Sequence, residues 1–175
     1  MRLTEIISLS QMRLTLIISI YILLFVPFQM ANGQEHPPRP AVVTVTTQNL
    51  SFGAFTPGVA GGTVTISVTG SRSSTGDVIL LNLGYSFTTA LYEVIANPGT
   101  VISLLNGPDV ILTGSGGGSM TLHIGGSSPA SPFVISTVPP AFTLLNVGGT
   151  LTVGNILANP PGNYSGLFNI TFIQE

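Results

Sequence analysis

The sequence predicts an all-β protein, a two-sheet sandwich of about eight to ten short strands. Three observations carry that expectation. Apolar and polar residues alternate with a period of two along much of the chain after position 41. The breaks between these runs are Gly-Gly, Pro-Gly or Gly-Pro pairs, and no amphipathic helix of useful length interrupts them. Alternation sets one face of a strand on a core and the other in water. Gly supplies positive φ and Pro pre-sets the first turn residue, so 21 Gly and 13 Pro in 175 residues mean frequent turns.

The chain opens on a segment unlike the rest. Arg2 and Arg13 precede an apolar run over residues 14–28, broken by Pro27 and followed by Ala31-Asn32-Gly33. A positive start, an apolar stretch and small residues at −3 and −1 read as a secretory signal peptide over residues 1–33, cleaved between Gly33 and Gln34. The run is shorter than the ~20 residues that cross a bilayer, which argues against a permanent anchor. Residues 34–41 form a Pro-rich tether, Glu35-His36-Pro37-Pro38-Arg39-Pro40, whose residues favour extended backbone. The sandwich domain is expected over residues 42–175.

Within that domain, residues 42–46 make a short apolar opening strand. Val64, Ile66 and Val68 alternate with Thr63, Thr65, Ser67 and Thr69, and Met120, Leu122 and Ile124 with Thr121 and His123. Tyr164, Phe168, Ile170 and Phe172 share one face of a closing strand over residues 164–173 and are expected in the core. One local pattern recurs three times: Gly61-Gly62-Thr63-Val64-Thr65-Ile66, Gly117-Gly118-Ser119-Met120-Thr121-Leu122 and Gly148-Gly149-Thr150-Leu151-Thr152-Val153. The spacing between copies is uneven, so this is a shared turn-into-strand grammar and not a solenoid repeat.

Composition removes several function classes. Charged residues are 6% of the chain, with four Arg and no Lys, so the cationic footprint of a nucleic-acid binder is missing. Zero Cys excludes disulfides, thiol chemistry and Cys-based metal sites. The run Gly114-Ser115-Gly116-Gly117-Gly118-Ser119 lacks the Gly-Lys-Ser/Thr of a phosphate loop and leads into a strand, so it reads as a hairpin loop. His36 falls in the tether and His123 on an outward strand face, neither with a second ligand at metal spacing. No Gly-x-Ser-x-Gly elbow is present, and Asp77, Glu93 and Asp109 fall on separate turns or strands. A non-enzymatic chain is therefore expected, with no cofactor and no metal. Arg72, the lone cation inside the domain, sits in Gly70-Ser71-Arg72-Ser73-Ser74-Thr75-Gly76-Asp77, read as a loop between strands. Its expected role is structural, tying loop carbonyls or the Asp77 carboxylate together.

Three stretches together carry a family resemblance: Leu50-Ser51-Phe52-Gly53-Ala54-Phe55-Thr56-Pro57-Gly58 with Gly62-Thr63-Val64-Thr65-Ile66-Ser67; residues 70–78 around Arg72; and residues 149–154 with Pro161-Gly162-Asn163-Tyr164-Ser165-Gly166-Leu167-Phe168-Asn169-Ile170-Thr171. Over about residues 42–173 the chain resembles the bacterial secreted domain of unknown function 4402. Its closing motif is similar to the last strand of chaperone–usher pilus subunits and spore-coat-U-like proteins. The resemblance implies an immunoglobulin-like, pilin-like sandwich on the cell surface. Two functions are expected from it: a fimbria-like or envelope assembly subunit, paired with copies of itself or other surface subunits through strands, or a secreted adhesin module for a glycan or host-surface ligand. The few aromatic platforms, Tyr85, Tyr92 and Tyr164 with no Trp, favour the first. Either way the protein is exported to the periplasm, the outer surface or an extracellular filament, and leaves the membrane once its signal is cleaved.

Overall fold

The computed structural model describes residues 42–45 and 48–175, with side chains from Gln48 onward. The export signal, the cleavage position at Ala31, Gly33 and Gln34, and the tether lie outside the described residues. Those residues form thirteen strands and no helix. In chain order they are β1 (Val42–Val45), β2 (Ser51–Phe52), β3 (Phe55–Ile66), β4 (Arg72–Leu80), β5 (Phe87–Thr88), β6 (Ala90–Ile95), β7 (Val101–Asn106), β8 (Val110–Gly114), β9 (Ser119–Ser128), β10 (Phe133–Val134), β11 (Thr143–Val153), β12 (Tyr164–Ser165) and β13 (Ile170–Gln174). Nine are four residues or longer, within the expected eight to ten. The other four are two-residue ladders, too short for alternation to reveal.

The large sheet runs β1-β6-β11-β9-β8-β12, with β3 also on β11 and β4 on β3. Strand β11 organises it. One edge pairs β6 through Thr143–Val147 and then β3 through Gly149–Val153, while the other pairs β9. The handover falls at Gly148, where the register with β9 also shifts. A Cβ on Gly148 would lie 2.4 Å from the Ile66 carbonyl oxygen, so only Gly lets β3 approach there.

The three Gly-Gly copies found in the sequence lie side by side. Leu151 is opposite Val64 on one side and Leu122 on the other, and all three are buried. Thr152 is likewise opposite Thr63 and Thr121, on the outer face. There, hydroxyls bond across the strands, Thr63 with Thr75 at 2.7 Å and Thr65 with Thr150 at 3.0 Å. Such cross-strand pairs are the local unit of sheet stability.

A three-stranded sheet, β10-β7-β13, supplies the second layer, and β2 with β5 forms a separate small ladder. One core joins the layers: Val64, Val94, Leu145 and Leu151 from the large sheet, Ile102 and Phe133 from the small one. Tyr92 of β6 meets Phe172 of β13 edge to face, with ring centroids 5.5 Å apart. The fold is the all-β sandwich expected.

Three local expectations are corrected. Of the stretch 70–77 read as a loop, residues 72–77 belong to strand β4, a polar edge paired only to β3, and they read as a loop because they include no apolar side chain. Pro57-Gly58 and Gly61-Gly62 do not end a strand. They lie inside β3, where Gly makes a bulge between the two paired stretches with β4. The closing strand is also not continuous: β12 pairs β8 in the large sheet and β13 pairs β7 in the small one. Residues 166–169 carry the chain between them, starting at Gly166, whose added Cβ would lie 2.6 Å from Leu112.

Candidate functional site

Arg72 heads β4 and turns its guanidinium inward. It donates to the carbonyls of Phe52 at 3.0 Å, Ala54 at 3.2 Å and Leu81 at 3.2 Å, and lies 4.5 Å above the Phe87 ring. The planar fork suits three carbonyls and a ring face at once. Gly53 beside it has φ +65°, and a Cβ there would lie 2.6 Å from the guanidinium. Asp77, the other expected partner, is placed elsewhere: its carboxylate accepts the Ala60 N–H at 3.3 Å and packs against Gly58. Arg72 thus fixes residues 52–54 against the 81–87 loop, one wall of a cleft.

The cleft holds about 1210 Å³. Its first wall is residues 49–57 with Leu81, Leu83 and Tyr85; its second is residues 156–168. Between them the floor reaches core side chains, among them Phe52, Tyr92, Leu112, Met120 and Leu151. No lining residue carries a charge. Four of the liners are large apolar side chains exposed to solvent: Leu83, Tyr85, Ile156 and Leu167, the last 92% exposed.

Of the residues expected in the core of the closing strand, Tyr164 and Phe168 line the cleft, whereas Ile170 and Phe172 lie on β13 outside its lining. Tyr164, Phe168, Ile170 and Phe172 alternate as predicted and pack against the core, yet each is half-buried. Strand β12 ends the large sheet and β13 ends the small one, so no strand covers their far side among the described residues. The Tyr164 hydroxyl donates to the Pro160 carbonyl at 2.7 Å, holding the second wall in place.

Sequence reasoning missed Asn159, which is 2% exposed. Its side-chain oxygen accepts the Gly154 N–H and its amide donates to the Ser119 carbonyl at 2.7 Å, tying the end of β11 to the start of β9. A second polar cluster, Gln48, Thr89 and Asn146, bridges three segments near the β6–β11 pairing. A lone Asn beside Pro160-Pro161 gave no signal of burial, since Asn there reads as a turn residue.

The sequence also gave no hint of a pair between His123 and Asp109. Extending the β8–β9 register by one residue sets them opposite, and His123 Nδ1 lies 2.7 Å from Asp109 Oδ1. Both side chains are more than half exposed. No group of three His, Asp or Glu able to hold a metal occurs among the described residues. An exposed pair of this kind adds at most about 1 kcal/mol.

No curated protein and no solved structure matches the chain. One family does, through residues 43–173, which hold both walls of the cleft, Arg72 and the closing segment. The chain belongs to the family described as Domain of unknown function (DUF4402).

Proposed function

We propose that the protein is a non-enzymatic, exported structural subunit of a bacterial surface assembly, fimbria-like or part of an envelope layer. The observation that carries the reading is the uncharged cleft, open to the core and rimmed by exposed Leu83, Tyr85, Ile156 and Leu167. Four large apolar side chains exposed around one uncharged cleft suit a surface that another molecule covers. The scarcity of charge agrees with it, since the described residues carry only Arg72, Asp77, Glu93, Asp109 and Glu175 besides His123, too few to keep copies apart. The likeness of the closing motif to that of pilus subunits points the same way.

Size-exclusion chromatography of the chain lacking its signal, with negative-stain microscopy of the native cell surface, tests this. High-molecular-weight species are expected from the intact mature chain, and deletion of residues 34–47 should abolish them while leaving a β-rich but less stable domain. A strictly monomeric mature chain at high concentration, with no filament on cells, overturns the subunit reading. The adhesin-module reading would then lead, with the same cleft as the site for an uncharged ligand and Tyr85 as its aromatic platform.

A further inference from the structure

We propose that a second recess, between the β3–β4 turn and residues 87–89, binds a neutral sugar ring. It shares no lining residue with the larger cleft, so the inference stands apart from the assembly reading and goes beyond it. The recess holds about 440 Å³, within the usual range of small-ligand pockets and roomy enough for a pyranose. Amides, hydroxyls and one aromatic ring line it, and no lining residue carries a charge.

A hydrogen-bond chain with a fixed direction runs along its wall. The Gln48 amide nitrogen donates to the Thr89 carbonyl at 3.0 Å and to the Thr89 hydroxyl at 3.3 Å. A carbonyl only accepts, so the first bond settles which end of the Gln48 amide is nitrogen. The Thr89 hydroxyl, accepting from Gln48, passes its own proton to Asn146 Oδ1 at 3.0 Å. Thr89 is 4% exposed, which anchors the chain inside the fold. Two ends stay open: Gln48 Oε1, an acceptor, and Asn146 Nδ2, a donor, neither with a hydrogen bond among the described residues. An acceptor and a donor held in set orientations fit two hydroxyls of one sugar, the first donating and the second accepting.

Phe87 supplies the apolar half of the site. Its ring is partly exposed, and the Arg72 guanidinium covers one face at 4.5 Å from the centroid, which leaves the opposite face for a ligand. An aromatic face suits the C–H face of a pyranose, whose hydroxyls then reach the amides. A charged ligand would gain no ion pair from this lining, and an apolar one would strand the open amide ends. The mouth is clear: Thr69 and Ser128 are exposed, and a Cβ added at Gly70 would meet nothing within 4 Å.

Saturation-transfer NMR on the chain lacking its signal tests the site. The probes are methyl glycosides of glucose, galactose, mannose and N-acetylglucosamine, with glucuronic acid as the charged comparison. At least one neutral glycoside should receive saturation, and glucuronic acid should not. Asn146→Ala removes the open donor and should weaken that binding about tenfold, the size of one hydrogen bond's contribution. It also takes the acceptor from Thr89, so Thr69→Trp, which fills the mouth from an exposed turn position, provides a second variant that leaves the amide chain intact. Circular dichroism checks that both are folded. Tyr85→Ala, in the larger cleft, should leave sugar binding unchanged. The proposal is overturned if the folded chain saturates no neutral glycoside, or if binding survives both recess variants. Binding lost only with Tyr85→Ala, or glucuronic acid bound as well as the neutral sugars, overturns it too. None of these outcomes bears on assembly, which chromatography reads separately.

Discussion

A single guanidinium holds one wall of the cleft. Arg72 satisfies three carbonyls from two separate segments and covers the Phe87 ring. Removing it leaves those carbonyls without their donor in a partly buried place, and charged hydrogen bonds of this type contribute about 1.5–3 kcal/mol each. Arg72→Ala should therefore destabilise the domain by about 2–4 kcal/mol in urea denaturation. Arg72→Lys should recover little, because an ammonium cannot span three carbonyls in one plane and loses the flat contact with Phe87. A Lys variant as stable as the parent would show that the charge alone matters. Seen from the sequence, Arg72 could be assigned to carbonyls or to Asp77 but not to one of them. The choice depends on the β3–β4 register, which sets Asp77 beside the Gly58–Ala60 bulge.

At the level of strands, Gly148 decides how β11 serves two neighbours on one edge. Ala in its place would set a methyl group 2.4 Å from the Ile66 carbonyl oxygen, with backbone of residues 67 and 68 at 3.1 Å. These are main-chain atoms that cannot rotate away. Gly148→Ala should cost about 2–4 kcal/mol, a strain effect at the upper end of single substitutions. Gly126→Ala makes the control, since its nearest neighbour is a Val68 methyl at 4.0 Å. Equal melting temperatures for the two variants would refute the close-approach argument. The inward and outward faces of β3, β9 and β11 were legible from period-two alternation alone. That the three Gly-Gly copies become adjacent strands was not, because pairing between residues 62–66 and 149–153 is a long-range choice that no local pattern encodes. The same limit hid the break of the closing segment after β12, because the partners of its two halves, β8 and β7, are chosen at long range.

Across the whole molecule, the two layers meet where Tyr92 packs on Phe172. Burial pushes the Tyr92 hydroxyl above its ordinary range, because the phenolate would lose its hydration. The sign of the linkage follows: the folded state keeps the proton more tightly, so this contribution is whole below the unfolded value of about 10 and fades as pH rises through the folded one. Denaturation midpoints should fall above pH 10 in the parent and fall less in Tyr92→Phe. Identical alkaline profiles would remove Tyr92 as the cause. Fold class was legible because turns and alternation are local. The cleft was not, since its walls come from residues 49–57, 81–85 and 156–168, far apart in the chain. His123 and Asp109 likewise meet only through the β8–β9 register.

The hydroxyl rows on the outer face of β3, β4, β9 and β11 have a consequence for the medium the protein meets. Thr63, Thr65, Thr75, Thr121, Thr150 and Thr152 present neutral dipoles where many sheets present Lys and Glu. Charged surfaces feel ionic strength through screening over a Debye length of about 10 Å at 0.1 M salt. Apart from the exposed His123–Asp109 pair on its β8–β9 side, this surface of hydroxyls has little to screen. This face therefore binds water in much the same way in fresh water and in brine, and its strand-to-strand bonds keep their strength in both.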